Sequence, residues 1–313
     1  MAGSSYIAPQ VRARRIRALA LIAFSLSLLV VAVSATLRLS GAGLGCADWP
    51  ACYGQVLAGV PSAPWAGMRM AHRIVATLAL LAGMLLAWHC WRPQPLQPAA
   101  RYATLLLALM LLLSVVGVWS ADPRNAAVNF ANLIGGLGLV TFSWRVAINT
   151  EPARWVERGR GGPVCRIALG ALTLTVLLGG LIGARYLAAA CGSLPHCTGV
   201  WLPPPQGLAA LNPFVVLGGP AEPGEAGGVA LHLLHRYAAA LSMLLLLVVA
   251  FRLRKTPQAR RAVLGVLTFL ALEAALGALT VASGYALWLA VAHNVGAALL
   301  LAAAASLMQA VRQ

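Results

Sequence analysis

The chain has 313 residues, of which 60% are hydrophobic and 10% charged, with a formal net charge of +16 and a mean hydropathy of +0.82. Soluble domains carry about 25% charged residues, so this composition excludes an ordinary globular domain and points to an all-α, polytopic membrane protein. The basicity suggests nucleic acid at first sight, but its distribution along the chain excludes that reading, as set out below.

A spanning helix needs about 20 mostly apolar residues. Eight such runs follow in chain order, at about 18–37, 70–91, 102–121, 126–148, 165–187, 228–251, 262–282 and 287–310. The first is too long, and too soon followed by others, to be only a cleaved signal peptide; it can act as a signal anchor. After it comes "RLSGAGLGCADWPACYG" (38–54), with Cys46 and Cys52. Run two opens as "AHRIVATLALL" (71–81), with His72 and Arg73 at its head and Arg69 three residues before the histidine. Run four carries Asn129 and Asn132. A basic segment, "NTEPARWVERGRGGP" (149–163), precedes run five, which contains "GGLIG" (179–183). Cys191 and Cys197 follow, then a loop (198–228) whose proline and glycine content argues against a regular helix. Run six holds His232, His235 and Arg236, run seven Glu273, and run eight His293 and Asn294.

With the N-terminus inside, all but six of the 23 basic residues fall in inner segments. The exceptions, Arg38, Arg69, Arg73, Arg124, Arg185 and Arg236, lie at or near outer helix ends. This is the positive-inside pattern, which places both termini in the cytoplasm of a bacterial-type inner membrane. The basicity therefore reads as topology in a lipid bilayer. Cys46/Cys52 and Cys191/Cys197 share the spacing C-x5-C, and both pairs fall on the outer side, where an oxidising space allows each to close a disulfide. Cys90 and Cys165 fall near the inner face and read as free thiols.

The order of features repeats. Arg38, the Cys46/Cys52 pair and His72-Arg73 are followed by Arg185, the Cys191/Cys197 pair and His235-Arg236. Each half holds four spans, an even number, so the halves share one orientation and form a parallel repeat. The expected architecture is two four-helix bundles, 1–148 and 164–313, joined by a cytoplasmic linker at 149–163. The small residues of "GGLIG" and of "GGLG" (135–138) read as close helix contacts.

Ionisable and amide residues within spans are functional candidates by default. His72, Asn132, His235 and His293 all lie one or two turns below the outer surface, at roughly one depth by a rise of 1.5 Å per residue. Imidazoles at one depth on facing helices suggest axial ligation of a heme. Two of them on opposite faces give a low-spin, electron-transferring heme. His235 and His293 fit that pattern in the second half, with Ala238, Ala239, Gly296 and Ala297 leaving room for a flat cofactor and Arg73 and Arg236 available to heme propionates. His232 and His235 share a helix face, and either can be the ligand. Glu273 reads as a protonated, hydrogen-bonded carboxyl or as a proton relay.

Across nearly the whole chain these features resemble the heme A synthase family. The resemblance rests on "RLSGAGLGCADWPACYG", "AHRIVATL", "LHRYAAAL", "NLIGGLGLV" (132–140) and "AHNVGAALLL" (292–301). It implies an oxidoreductase that converts heme O to heme A for terminal oxidase assembly. The reaction takes the C8 methyl to a formyl group through two hydroxylations and loss of water. It implies that His235 and His293 ligate a heme b and that His72 ligates the substrate heme. Cys46 and Cys52 would form the loop pair. A heme O synthase and a respiratory electron donor would be partners, and a homo-oligomer is compatible with the pattern. The sequence departs from the family at two catalytic positions: Asn132 stands where a fourth ligand histidine is expected, and Arg69 where a glutamate is expected. A heme-binding assembly or heme-handling protein with altered catalysis is therefore the alternative. A repeat-fold transporter predicts discontinuous helices, and no Gly/Pro break stands inside matching spans.

Overall fold

The computed structural model describes residues 9–41, 63–121, 125–150, 162–215 and 222–311. Among them are eight long helices: α1 (Pro9–Gly41), α2 (Ala63–Trp91), α3 (Ala99–Val116), α4 (Ala126–Ile148), α5 (Gly162–Ala184), α6 (Ala226–Leu253), α7 (Arg260–Ala282) and α8 (Leu287–Val311). All eight are long and apolar enough to cross a membrane. Each of the eight expected runs is thus a helix, and the differences lie at the ends.

The largest difference is in α1. Its 33 residues span about 50 Å at 1.5 Å each, well beyond a hydrocarbon core of about 30 Å. Part of the excess has a partner near the N-terminus of the helix. Arg12 Nη2 donates to the carbonyls of His89 (3.0 Å) and Cys90 (3.3 Å) at the C-terminus of α2, and to that of Gln94 (2.6 Å) just beyond it. Those last carbonyls have no intrahelical donor, and a cation there also opposes the helix dipole. Two helix starts are capped in the complementary way. Asn125 Oδ1 accepts from Val128 N at 3.2 Å, and the Glu225 carboxylate accepts from Gly227 N (2.9 Å) and Gly228 N (2.6 Å). Side-chain oxygens satisfy the orphan N–H groups of a first turn.

In the first half, α1 packs against α2 and α4, and α3 against α2 and α4. In the second, α5 pairs closely with α6 and α7 with α8, while α6–α7 and α5–α8 meet over shorter stretches. Each half has its own apolar cluster. One is built on Ile16, Leu86, Leu106 and Val146, the other on Leu172, Leu246, Leu253 and Leu307. The halves meet through α8 against α1 and α4, and through α4 against α5. Polar bonds run along the α4–α8 seam: Trp144 Nε1 donates to Ser306 Oγ (2.7 Å), buried Arg145 Nη1 to the Ala305 carbonyl (3.1 Å), and Asn149 Nδ2 to Gln309 Oε1 (3.2 Å). Large apolar side chains such as Leu81, Leu85, Leu112, Leu244 and Leu279 are exposed, as expected of helix faces turned to lipid.

The loop between α5 and α6 contains a short 3-10 helix, Pro205–Leu211, despite its proline content. Gly207 makes this possible, because a Cβ there would lie 2.0 Å from the Ala226 carbonyl oxygen. Cys191 and Cys197 are joined by a disulfide, with Cα atoms 5.1 Å apart. Cys90 and Cys165 are free and buried, as expected. Cys46 and Cys52 lie outside the described residues.

Candidate functional site

His235 lies on α6 and faces α5. Its Nδ1 is 2.9 Å from the Thr175 carbonyl oxygen. A carbonyl only accepts, so Nδ1 carries the proton and the lone pair sits on Nε2. The Thr175 carbonyl is reachable because the residue one turn later is Gly179. A Cβ at Gly179 would lie 2.9 Å from His235 Cε1 and 3.2 Å from Nδ1. The glycine pair at 179–180 therefore has two tasks. Gly180 packs under Phe130 and Ile134 of α4, the helix contact expected from sequence, while Gly179 makes room for an imidazole.

His293 enters from α8. It too is backed by a glycine: a Cβ at Gly277 of α7 would stand 3.2 Å from its Cε1. Its Nδ1 is 2.9 Å from Glu273 Oε2. The two atoms are close without the alignment of a hydrogen bond, and both Nδ1 and Glu273 Oε1 are buried and unpartnered. Gly296 faces this carboxyl group, with its missing Cβ only 1.9 Å from Oε1.

His232 behaves differently. It is buried, and its Nε2 is 3.1 Å from the Leu187 carbonyl oxygen. The proton is then on Nε2, and the nitrogen that projects furthest from the backbone is already used. Its ring stands edge-on to Tyr285, with centroids 6.4 Å apart. Tyr285 donates from its hydroxyl to the Cys191 carbonyl. Burial pushes that hydroxyl up to about 12, against an opposing pull from Arg236.

Arg236 lies over the same loop. Its Nη1 donates to the carbonyls of Pro195 (3.1 Å) and His196 (2.9 Å), inside the ring closed by Cys191–Cys197. Its Nη2 is buried without a partner. From the first half, Arg38 reaches across to the Gly183 carbonyl and to Asn294, the residue after His293. Thr175, Gly179 and Gly277 were absent from the site expected on sequence, where "GGLIG" was read only as a helix contact, while Arg38 and Asn294 were noted without a role.

The first half is arranged otherwise. His72 and Asn132 are half-buried, and no hydrogen bond joins them; Arg69 and Arg73 are exposed. Gly135 stands three residues after Asn132, as Gly296 stands three after His293. There Gly135 faces Leu113 of α3, whose Cδ2 would be 2.5 Å from its Cβ, where Gly296 faces a carboxylate. Asn129 is tied up in the fold, donating to the Ala184 carbonyl (3.3 Å) and the Tyr186 hydroxyl (3.4 Å).

The second-half arrangement suits an iron macrocycle. His235 Nδ1 bonds the Thr175 carbonyl, His293 Nδ1 lies 2.9 Å from Glu273, a glycine leaves space behind each ring, and Arg236 Nη2 is buried without a partner. Comparison with known proteins agrees with this. The model of the COX15-CtaA cytochrome oxidase assembly protein family matches residues 17–63 and 126–305. The chain belongs to that family. The heme A synthase of Shewanella oneidensis is 30% identical over 305 residues, covering 88% of this chain and 90% of that protein. The heme A synthase of Novosphingobium aromaticivorans is 28% identical over 317 residues, covering 88% of each chain. That of Shouchella clausii is 28% identical over 245 residues, covering 75% of this chain and 74% of its own. The family match includes Asn132, His235 and His293, while His72 falls between its two matched segments.

Proposed function

We propose that this chain is a heme A synthase-type membrane oxidoreductase that takes the C8 methyl of heme O to a formyl group by two hydroxylations and loss of water. In this reading His235 and His293 are the axial ligands of a heme b. A bis-histidine heme, when bound, supplies one-electron transfer. The observation that carries the reading is the pair of imidazoles whose Nδ1 atoms face Thr175 and Glu273, which leaves both Nε2 atoms for iron. Metal-bound histidines almost always have a carbonyl or carboxylate on the other ring nitrogen. His232, with Nε2 occupied, is a structural residue. Arg236 Nη2 is the donor for a propionate, and Arg73 has the corresponding place in the first half.

The first half is the substrate side in this reading, with His72 as the ligand of heme O. The two halves, 1–148 and 164–313 around a linker at 149–163, form a parallel repeat. The matching glycines after Asn132 and His293 support it. Heme O arrives from its synthase, electrons come from a respiratory donor, and the product serves terminal oxidase assembly. Both termini face the cytoplasm of a bacterial-type inner membrane, an orientation supported by the arginine distribution.

A second reading has one specific support. Asn132 and Arg69 replace the family's histidine and glutamate, and Leu113 lies where the second half has Glu273. All three changes fall on the substrate side, which favours a heme-handling protein with altered catalysis. Expression beside a heme O synthase, in a host without its own heme A synthase, separates the two. Heme A in the extracted pigments is the expected result. Unconverted heme O with heme b still copurifying overturns the synthase reading and leaves the second.

A further inference from the structure

Among the described residues Glu273 is the only acidic side chain inside a spanning helix, and it is 8% exposed. An ionisable group there is costly and generally has a task. No lysine or arginine pairs with it among the described residues. Its neighbour is His293 Nδ1, at 2.9 Å. Both that nitrogen and Glu273 Oε1 lack a hydrogen-bond partner, and a buried polar atom left this way is destabilising. The fold also reserves space for the carboxyl group, since any side chain at Gly296 would overlap it. The opposite imidazole is treated differently, with a neutral backbone carbonyl at Thr175.

We propose that Glu273 is a positioning residue for His293. When His293 Nε2 binds iron, Nδ1 must carry the proton, and a small rotation of the ring turns the 2.9 Å approach into a hydrogen bond to Glu273 Oε2. That bond sets the ring orientation and makes the imidazole a stronger electron donor to iron. The heme of this half thereby acquires one strongly donating and one ordinary axial ligand, and a lower midpoint potential than two carbonyl-bonded imidazoles produce. This inference rests on the assignment of His235 and His293 as ligands.

The test uses the full-length chain purified with its heme. Redox titration of the low-spin band is compared for wild type, Glu273→Gln and Gly296→Ala. Glu273→Gln keeps the shape and an acceptor oxygen but replaces the carboxyl group by an amide. Gly296→Ala keeps the carboxyl group and displaces it. Each is expected to remain low-spin and to raise the midpoint potential by about 59 mV or more, the shift for a tenfold change in a one-electron equilibrium. The low-spin electron paramagnetic resonance signal should shift with it. If Glu273→Gln holds no heme, Gly296→Ala alone decides. Unchanged potential and signal in the variants that retain heme overturn the role of Glu273. A low-spin heme that survives His293→Ala overturns the ligand assignment instead, and this inference with it.

Discussion

Arg38 Nη2 donates to Asn294 Oδ1 at 3.2 Å, and its Nη1 to the Gly183 carbonyl at 3.1 Å. One guanidinium thus joins α1 to α5 and to the residue beside His293. Gly183 admits it, because a Cβ there would lie 2.7 Å from Nη1. Arg38→Met removes both bonds and leaves two acceptors without this donor in the interface. Hydrogen bonds to charged groups contribute about 1.5–3 kcal/mol each. A loss of about 3 kcal/mol is expected, seen as a lower thermal midpoint in detergent and weaker heme retention. An unchanged midpoint would rule out a structural role for this bridge.

The glycines behind the imidazoles should be as sensitive as the histidines themselves. Gly179→Ala places a methyl 2.9 Å from His235 Cε1, and Gly277→Ala one 3.2 Å from His293 Cε1. Overpacking of this kind costs about 1–3 kcal/mol. The heme-to-protein ratio is expected to fall in both, further for Gly179→Ala. Gly170→Ala, with nothing within 4 Å of the new Cβ, is the matched control and should bind heme as wild type does.

Tyr285 gives the protein an alkaline limit. Its hydroxyl deprotonates near 10.0 in the unfolded chain but only at about 12 when folded. A raised value means that its contribution is complete below pH 10 and declines as pH rises from 10 to 12. The decline is about 1.4 kcal/mol per pH unit. Thermal midpoints measured against pH should fall over this window in wild type. Tyr285→Phe should begin lower by about 1 kcal/mol, for the lost bond to the Cys191 carbonyl, and fall less steeply.

The second-loop disulfide should matter for heme as well as for stability. Arg236 is held by carbonyls inside the ring that Cys191 and Cys197 close. Replacing both cysteines by serine frees a loop of seven residues, at a cost of about 2 kcal/mol on chain-entropy grounds. Lower heme occupancy at equal protein yield is expected. Full occupancy would separate the loop from the heme site.

Much of the site was legible from the sequence because intramembrane polar residues are rare. His235, His293 and Glu273 stood out on apolar helices, while the sequence left His232 and His235 as alternative ligands. Their partners were not legible. Thr175 acts through its backbone carbonyl, which no side-chain pattern reports. Gly179 and Gly277 resemble any small residue in a tight helix contact, and only the neighbour across the gap distinguishes room for an imidazole from room for a leucine, as at Gly135. The linkage of Arg38 to Asn294 spans 256 positions, beyond the reach of any local pattern.

The sequence by itself determined the eight spans, their expected orientation, the Cys191/Cys197 pair and the presence of histidines within the spans. These follow from hydropathy, charge and spacing, which act along the chain. Only the tertiary structure decided which nitrogen of His232 and of His235 faces a carbonyl, that Glu273 lies beside His293, and that Leu113 lies against Gly135. Those relationships depend on how each helix is rotated about its axis and how closely it approaches its neighbours. Such rotations are set by contacts such as Gly180 against Ile134 and Gly296 against Glu273, made between helices far apart in sequence.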